Sequence, residues 1–162
     1  MATEIHTRII IRIAVESDLQ ELENFIKPFV ESRRLLPRTF DELRELLAHL
    51  FIAELDGRIV GCAALEIYSW KLAEIRSLAV APEWQGKGLG RALTEQLLTE
   101  AKAAGVQKVV LLTNTAAEFF AREFGFALAA RQQFDAAFNA SSEWCLPRCS
   151  SAVCLCLPIA QS

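Results

Sequence analysis

Three glycines at every second position, Gly86, Gly88 and Gly90, separate an apolar alternating run ending at Val80 from an amphipathic pattern beginning at Leu89. The whole stretch, Val80 to Arg91, reads V-A-P-E-W-Q-G-K-G-L-G-R. Glycines carry no Cβ, so consecutive N–H groups in such a turn are free to converge on one point. Leu89, Leu93, Leu97, Leu98 and Ala101 fall on one side of a helix over Leu89–Ala104, and the turn feeds its N-terminus. Unpaired amides and the positive end of the helix dipole both favour a phosphate there. Spacing excludes two other phosphate loops. A Walker loop ends in Gly-Lys-Ser/Thr, whereas Gly86-Lys87 runs on to Gly88 and supplies no hydroxyl for magnesium. A dinucleotide fingerprint needs G-x-G-x-x-G, and the third glycine here stands at the wrong offset.

Length and charge narrow the partners. At 162 residues the chain is expected to form a single domain, 1–162, with one core. A net charge of −3 leaves no basic face to release counterions, which argues against nucleic acid and for a small metabolite. No apolar run approaches membrane-spanning length, and M-A-T-E-I-H lacks the features of a signal peptide, so no membrane partner and a cytoplasmic location are expected. Five cysteines, four of them crowded after residue 144, form an odd set unlike a secreted disulfide framework and are read as reduced thiols.

The element order follows from periodicity. Arg8–Ala14 reads as a first strand near a sheet edge, and Ser17-Asp18 opens a helix bearing Leu19, Leu22, Phe25, Ile26 and Phe29, which Pro28 should bend or end. Thr39 caps a helix from about Phe40 to His49. Phe51–Leu55 and Ile59–Ile67 pair across the Asp56-Gly57 hairpin signal, and Leu72–Val80 follows as a third strand. After the Leu89 helix come a buried strand Lys108–Thr113, a helix Thr115–Phe124, a strand from Gly125-Phe126 to about Arg131 and a last strand Ser151–Leu157. Residues 132–150 read as a long loop.

Gln85-Gly86-Lys87-Gly88-Leu89-Gly90 fits Q-x-x-G-x-G, and together with the preceding strand and following helix it resembles the acetyl-CoA pyrophosphate loop of the GNAT N-acetyltransferases. The order β-α-α-β-β-β-α-β-α-β-β matches that α/β fold, a mixed central sheet flanked by helices whose two central strands, here Leu72–Val80 and Val109–Leu112, splay apart. The resemblance implies acetyl-CoA as co-substrate. Its pyrophosphate would lie on Gln85, Gly86, Lys87, Gly88, Leu89, Gly90 and Arg91, with its pantetheine along the backbone of Leu78, Ala79 and Val80. Asn114 would bond cofactor or anchor the splay. The family stretch N-x-x-A-x-x-F-Y-x-x-x-G-F corresponds to Asn114, Ala117, Phe120, Ala121, Gly125 and Phe126, so alanine fills the slot of the tyrosine that protonates the leaving thiolate. A shift of one position places Phe120 there, and neither residue has a proton to give.

Acetyl transfer to an amine needs a proton acceptor, a donor to the developing oxyanion and a proton for the leaving thiolate. Strict alternation puts Glu74 on one strand face with Arg76, Leu78 and Val80, so Glu74 is the candidate base; the competing reading is a solvent-facing glutamate paired with Arg76. Water ranks first as the source of the thiolate's proton, with the substrate ammonium as the alternative and Ser77 or Thr115 as stand-ins. Tyr68, on another strand, ranks as a poor substitute. No cysteine lies by the loop, so direct attack is expected.

The segments L-L-P-R-T-F-D-E-L, G-C-A-A-L, A-E-I-R-S-L-A-V and L-T-N-T-A-A-E-F-F-A-R, spanning Leu35 to Phe126, are similar to the acetyltransferase domain of N-acetylglutamate synthases. That resemblance implies an amino-acid N-acetyltransferase, most directly for L-glutamate, with the strand glutamate matching Glu74 as base and arginines on the substrate carboxylates. Arg38 matches one of these and Arg148 is placed as a second, with Arg76 grouped beside them as a substrate contact. A guanidinium grips a carboxylate in a bidentate fork, which suits a dicarboxylic amino acid. No amino-acid-kinase domain is present, so arginine feedback through one is not expected. E-W-C-L-P-R-C-S-S-A-V-C-L is also similar to the C-terminus of small GNATs linked to arsenic resistance, which keeps an amino-arsenical or glutamate-like toxin as alternative acceptors. Cys154 and Cys156 would either touch a soft arsenical or pack as small apolar groups. A non-catalytic acetyl-CoA sensor remains a further alternative, a homodimer is possible, and no metal is expected.

Overall fold

The computed structural model describes residues 8–130, 133–134 and 152–160. Seven strands form one mixed sheet in the order β1-β2-β3-β4-β5-β7-β6. They are β1 Ile10–Ile13, β2 Leu50–Leu55, β3 Arg58–Ser69, β4 Leu72–Val80, β5 Lys108–Thr113, β6 Ala127–Leu128 and β7 Val153–Pro158. The helices are α1 Leu19–Glu31, α2 Phe40–Glu45, α3 Leu89–Ala103 and α4 Ala117–Phe124. The expected element order and sheet class hold, and β4 and β5 begin and end where periodicity puts them.

The chain divides into two units, one made of the residues up to Leu65 with Arg76–Leu97, the other of Glu66–Ile75 with the residues from Leu98 onward. In the first unit β1, β2 and β3 run antiparallel, with Ile52 opposite both Arg12 and Cys62. Their turn is the expected one: Asp56 and Gly57 both have positive φ, 50° and 80°, which a tight hairpin with right-handed strand twist demands. Leu19, Leu22, Ile26 and Phe29 of α1 and Leu43 of α2 share one buried cluster with Leu50, Ile52, Cys62, Ala64 and Ala79. Arg12 ties strand to helix start. Its guanidinium donates to both oxygens of Asp18 at 2.9 Å and to Glu54 at 2.8 Å, holding the Asp18 carboxyl below its ordinary range.

Pro28 does not end α1, which runs three residues further to Glu31. Phe29 is buried and its ring sits 5.4 Å from that of Phe25, so packing offsets the hydrogen bond that proline forfeits. The capping box at Thr39 forms as expected, with Glu42 N–H donating to Oγ1 at 3.1 Å and the Glu42 carboxylate accepting from Thr39 N–H at 2.9 Å. However, α2 stops at Glu45 and tightens into a 3-10 turn, Leu47–His49, because β2 already begins at Leu50.

In the second unit β4 and β5 are parallel, as an α3 crossover requires, with Leu72 opposite Lys108, Ala73 opposite Val109 and Glu74 opposite Val110. That ladder ends at Glu74, while β5 pairs antiparallel with β7 along its whole length, from Lys108↔Pro158 to Thr113↔Val153. Helix α4 starts at Ala117 rather than Thr115. The Thr113 hydroxyl accepts from the N–H groups of Thr115 and Ala116 at 3.2 and 2.9 Å, which holds those residues in a turn. Gly125 closes the helix in a left-handed cap at φ 81°. The β6 strand is only Ala127–Leu128, shorter at both ends than the strand expected from Gly125-Phe126 to about Arg131, since Ala129 and Ala130 are described and lie outside any strand. Arg131 itself lies outside the described residues.

Cys62 is fully buried, and burial pushes its thiol up to about 12 against the opposing pull of the Ala79 N–H. An unfolded thiol ionises near 9, so above that pH the unfolded chain releases a proton that the folded chain keeps. Folding stability from this site is therefore complete below about pH 9 and declines as pH rises toward about 12. Urea midpoints measured from about pH 8 to about pH 10 should fall with pH, and Cys62→Ala should flatten that fall; an unchanged slope in the variant would contradict the assignment.

Candidate active site

Glu74 has no solvent exposure. The solvent-facing reading of this residue is thereby excluded, and β4 carries instead a carboxylate taken wholly out of water. Its Oε1 accepts a 2.6 Å hydrogen bond from the Tyr68 hydroxyl on β3. At that length an O–H···O⁻ contact belongs to the charge-assisted class. Tyr68 itself packs in an apolar cluster with Leu72, Val110, Leu112, Phe134, Cys154 and Cys156. The two cysteines of β7 thus share one face, as expected from alternation, and burial raises the Cys156 thiol with Lys108 opposing.

Further along β4 the regular pleat is interrupted. Ser77 has φ 54°, a left-handed backbone that costs a non-glycine residue about 1 to 2 kcal/mol. The buried Cys62 thiol donates to the Ser77 carbonyl at 3.2 Å. Counting by twos from Glu74 to Val80 fails across this point, since a left-handed residue within a strand behaves as a bulge and re-aims the side chains beyond it. Arg76, Ser77, Leu78 and Val80 are half-buried and Ala79 is buried.

The strand leaves the sheet at Ala81, whose N–H donates to Val60 O at 2.8 Å, and enters a 3-10 turn at Pro82–Trp84. Gln85 braces the loop from within: its N–H donates to Pro82 O at 3.3 Å and its side-chain amide to Val80 O at 2.9 Å. Gly86 and Gly88 have φ of 76° and 88°, and a Cβ at either would meet nothing within 4 Å. The glycines are therefore needed for backbone conformation and not for want of space. The Lys87 ammonium lies 5.1 Å from the centre of the Trp84 ring, a cation–π contact that steadies the tip. Gly90 lies in the first turn of α3 with Val80 Cγ2 at 3.7 Å from its ideal Cβ. The buried Thr94 returns its hydroxyl to Gly90 O at 2.8 Å, and Arg91 pairs with Glu95 at 3.0 Å.

The remaining candidates are dispersed over other elements. Arg38 precedes the Thr39 cap with a side chain only 4% exposed and Nη1 3.9 Å from Glu42, so it is not an ordinary surface arginine. Asn114 is exposed at the end of β5. Phe120 is buried, edge-on to Phe119 at 5.1 Å and to Phe126 at 5.6 Å. Arg148 lies outside the described residues. Sequence reasoning misses Tyr68, because a place on a different strand implies distance, although the short Trp70-Lys71 turn returns β4 directly alongside β3.

The sequence profile of the acetyltransferase (GNAT) family matches residues 16–126. The chain belongs to this family. It is 34% identical over 120 residues to the amino-acid acetyltransferase of Pasteurella multocida, covering 74% of this chain and 27% of that protein. To the amino-acid acetyltransferase of Mycobacterium tuberculosis it is 35% identical over 118 residues, covering 71% and 67%. The chain thus spans about a quarter of the Pasteurella protein, 27%, and about two thirds of the mycobacterial one, 67%. The N-acetylglutamate synthase of Neisseria gonorrhoeae, solved in complex with coenzyme A and N-acetyl-glutamate, superposes with a TM-score of 0.85 at 27% identity, covering 94% of this chain and 35% of that one. Its GNAT fold and the mixed seven-stranded sheet of this chain correspond.

Two glycines of this GNAT domain should respond differently to a methyl group. Gly88→Ala meets no neighbour and should cost about 1 to 2 kcal/mol from backbone strain alone. Gly61→Ala puts a Cβ 3.0 Å from Leu93 Cδ1 on α3 and 3.4 Å from Ala53 Cβ and Ala79 O, an overpacking of about 1 to 3 kcal/mol. In urea unfolding, Leu93→Ala, itself costly at a fully buried position, should combine with Gly61→Ala for less than the sum of the two single losses and with Gly88→Ala for the full sum; equal behaviour of the two pairs would refute the distinction.

Proposed function

We propose that the protein is an acetyl-CoA-dependent N-acetyltransferase acting on the α-amine of a small amino acid, with L-glutamate as the leading acceptor. The observation that carries this reading is the carboxylate of Glu74, fully buried on β4 at the point where the ladder to β5 ends. A buried carboxylate is costly and persists where its charge is used or closely paired. The family match and the coenzyme A and N-acetyl-glutamate held by the gonococcal relative support acetyl-CoA and glutamate as the ligands to test.

In this reading the loop receives the diphosphate of acetyl-CoA. Gly86 and Gly88 supply the left-handed backbone, Gln85 ties the loop to Val80, and the amides of Leu89, Gly90 and Arg91 open α3 with their N–H groups toward the anion. Lys87 adds charge at the tip. Past Ser77, backbone groups of Leu78 to Val80 pair with the pantetheine and one N–H polarises the thioester carbonyl. Glu74 takes a proton from the substrate ammonium, directly or through water. The freed lone pair attacks the carbonyl carbon, the C–S bond breaks, and the second nitrogen proton passes to the departing thiolate, leaving the amide N–H. Arg38 is the leading partner for a substrate carboxylate, with Arg76 and Arg148 as further candidates. Asn114 anchors the end of β5, and Phe120 backs the thioester region with an apolar wall.

Thiol release from acetyl-CoA, assayed against the twenty amino acids, tests the reading. Release is expected with glutamate and absent with no acceptor; no release with any amino acid would favour a non-catalytic sensor. Arg38→Ala should raise KM for glutamate tenfold or more, on the order of one lost charged hydrogen bond, with KM for acetyl-CoA little changed. Glu74→Gln should lower kcat about 100-fold, and the deficit should shrink at high pH where the amine is already neutral. A deficit independent of pH would remove Glu74 from the role of base.

A further inference from the structure

We propose that Tyr68 is the residue that positions the Glu74 base, occupying Oε1 so that Oε2 is the oxygen presented to the substrate ammonium. The inference rests on the acetyl-transfer reading above and deepens it. Three observations converge on it. The phenol donates to Oε1 at 2.6 Å. The carboxylate it meets is wholly buried, so the bond is made in surroundings where solvent does not compete and a lost donor is not replaced by water. The ring packs against the buried cluster of Leu72, Val110 and Cys154, which come from β4, β5 and β7. Apolar packing fixes the ring and the ring fixes the carboxylate.

The chemistry assigns the proton. A tyrosine hydroxyl is far less acidic than a carboxylic acid, so the shared proton rests on the phenol oxygen and the carboxylate stays an acceptor. A carboxylate with one oxygen already bonded has its plane and its second oxygen defined, and a base held in one geometry loses less entropy in reaching the transition state. A hydrogen bond donated to the carboxylate favours its charged form over the neutral one. The proton taken from the ammonium resides on Oε2, and Tyr68 keeps its own throughout, so no further reactant is required. Tyr68 is a positioning residue, not the acid for the thiolate.

Tyr68→Phe removes one oxygen and leaves the packed ring. It should lower kcat about tenfold, with KM for acetyl-CoA unchanged. The decisive comparison is the cycle with Glu74→Gln. If Tyr68 acts through Glu74, the double variant turns over no slower than Glu74→Gln alone; if Tyr68→Phe merely loosens the fold, its tenfold loss adds in full and the proposal is overturned. A wild-type rate in Tyr68→Phe also overturns it while leaving acetyl transfer intact. Absence of turnover in the wild-type protein would instead sink the acetyl-transfer reading and this proposal together. The contact has a readout that needs no turnover. Tyr68 is the only tyrosine of the chain, so ring-labelled tyrosine gives a single NMR signal. That signal should move in Glu74→Gln, and an unmoved signal would deny the contact.

Discussion

A left-handed residue in the middle of β4 is the constraint on which the rest of the site depends. Strands do not adopt φ 54° at a serine without something to hold it. Here the holder is Cys62 of β3, whose buried thiol donates to the Ser77 carbonyl and receives the N–H of Ala79 from the other side. One small side chain thus pins the irregular residue and the backbone two residues after it. Its neighbour Gly61 faces the opposite side of the strand and lets Leu93 of α3 approach to 3.0 Å of where a Cβ would stand. Adjacent β3 residues therefore hold the irregular point of β4 from one face and the seat of α3 from the other.

The carboxylate upstream of that bend poses an electrostatic problem with a local solution. A glutamate without solvent exposure has lost its hydration and needs polar partners within the protein. The Tyr68 hydroxyl supplies one at 2.6 Å. Apolar side chains of β4, β5 and β7 pack with the ring that carries this donor. Burial and hydrogen bonding consequently act together on the geometry of the proposed base, whereas a surface glutamate would keep its charge cheaply and its orientation loosely.

Much of this is legible in the chain. The alternation of Leu72–Val80 and the continuous apolar run of Lys108–Thr113 place those strands to the residue, and Asp56-Gly57, Thr39 and Gly125 announce a hairpin, a cap and a helix end through their own backbone chemistry. Periodicity does not show the points where tertiary packing overrides a local rule. Phe29 carries α1 past Pro28, and the Thr113 hydroxyl delays α4 to Ala117. Ser77 breaks the alternation that would place Val80 on the face of Glu74, a break with no mark in the sequence because serine is not a left-handed residue by preference. Strand membership discounts Tyr68, although a short turn joins its strand to that of Glu74. A tyrosine and a glutamate on adjoining strands, each near the turn, are a signal that the sequence carries and periodicity alone does not use.

The absence of tyrosine from α4 takes a different meaning beside these facts. Phe119, Phe120, Phe124 and Phe126 pack ring on ring, with centroids 5.1 to 6.4 Å apart, so the helix that would carry an acid presents hydrocarbon instead. In the proposed reaction α4 supplies no acid for the thiolate, which needs a proton as the C–S bond breaks. The nearest proton is then on the attacking nitrogen itself, which must shed one after bond formation in any case. In the proposed reaction a base fixed on β4 removes the first proton, and the second travels from nitrogen to sulfur directly or through a single water, so the chemistry closes without an acid on α4. In that proposed reaction the single phenol of the chain serves the base and not the leaving group.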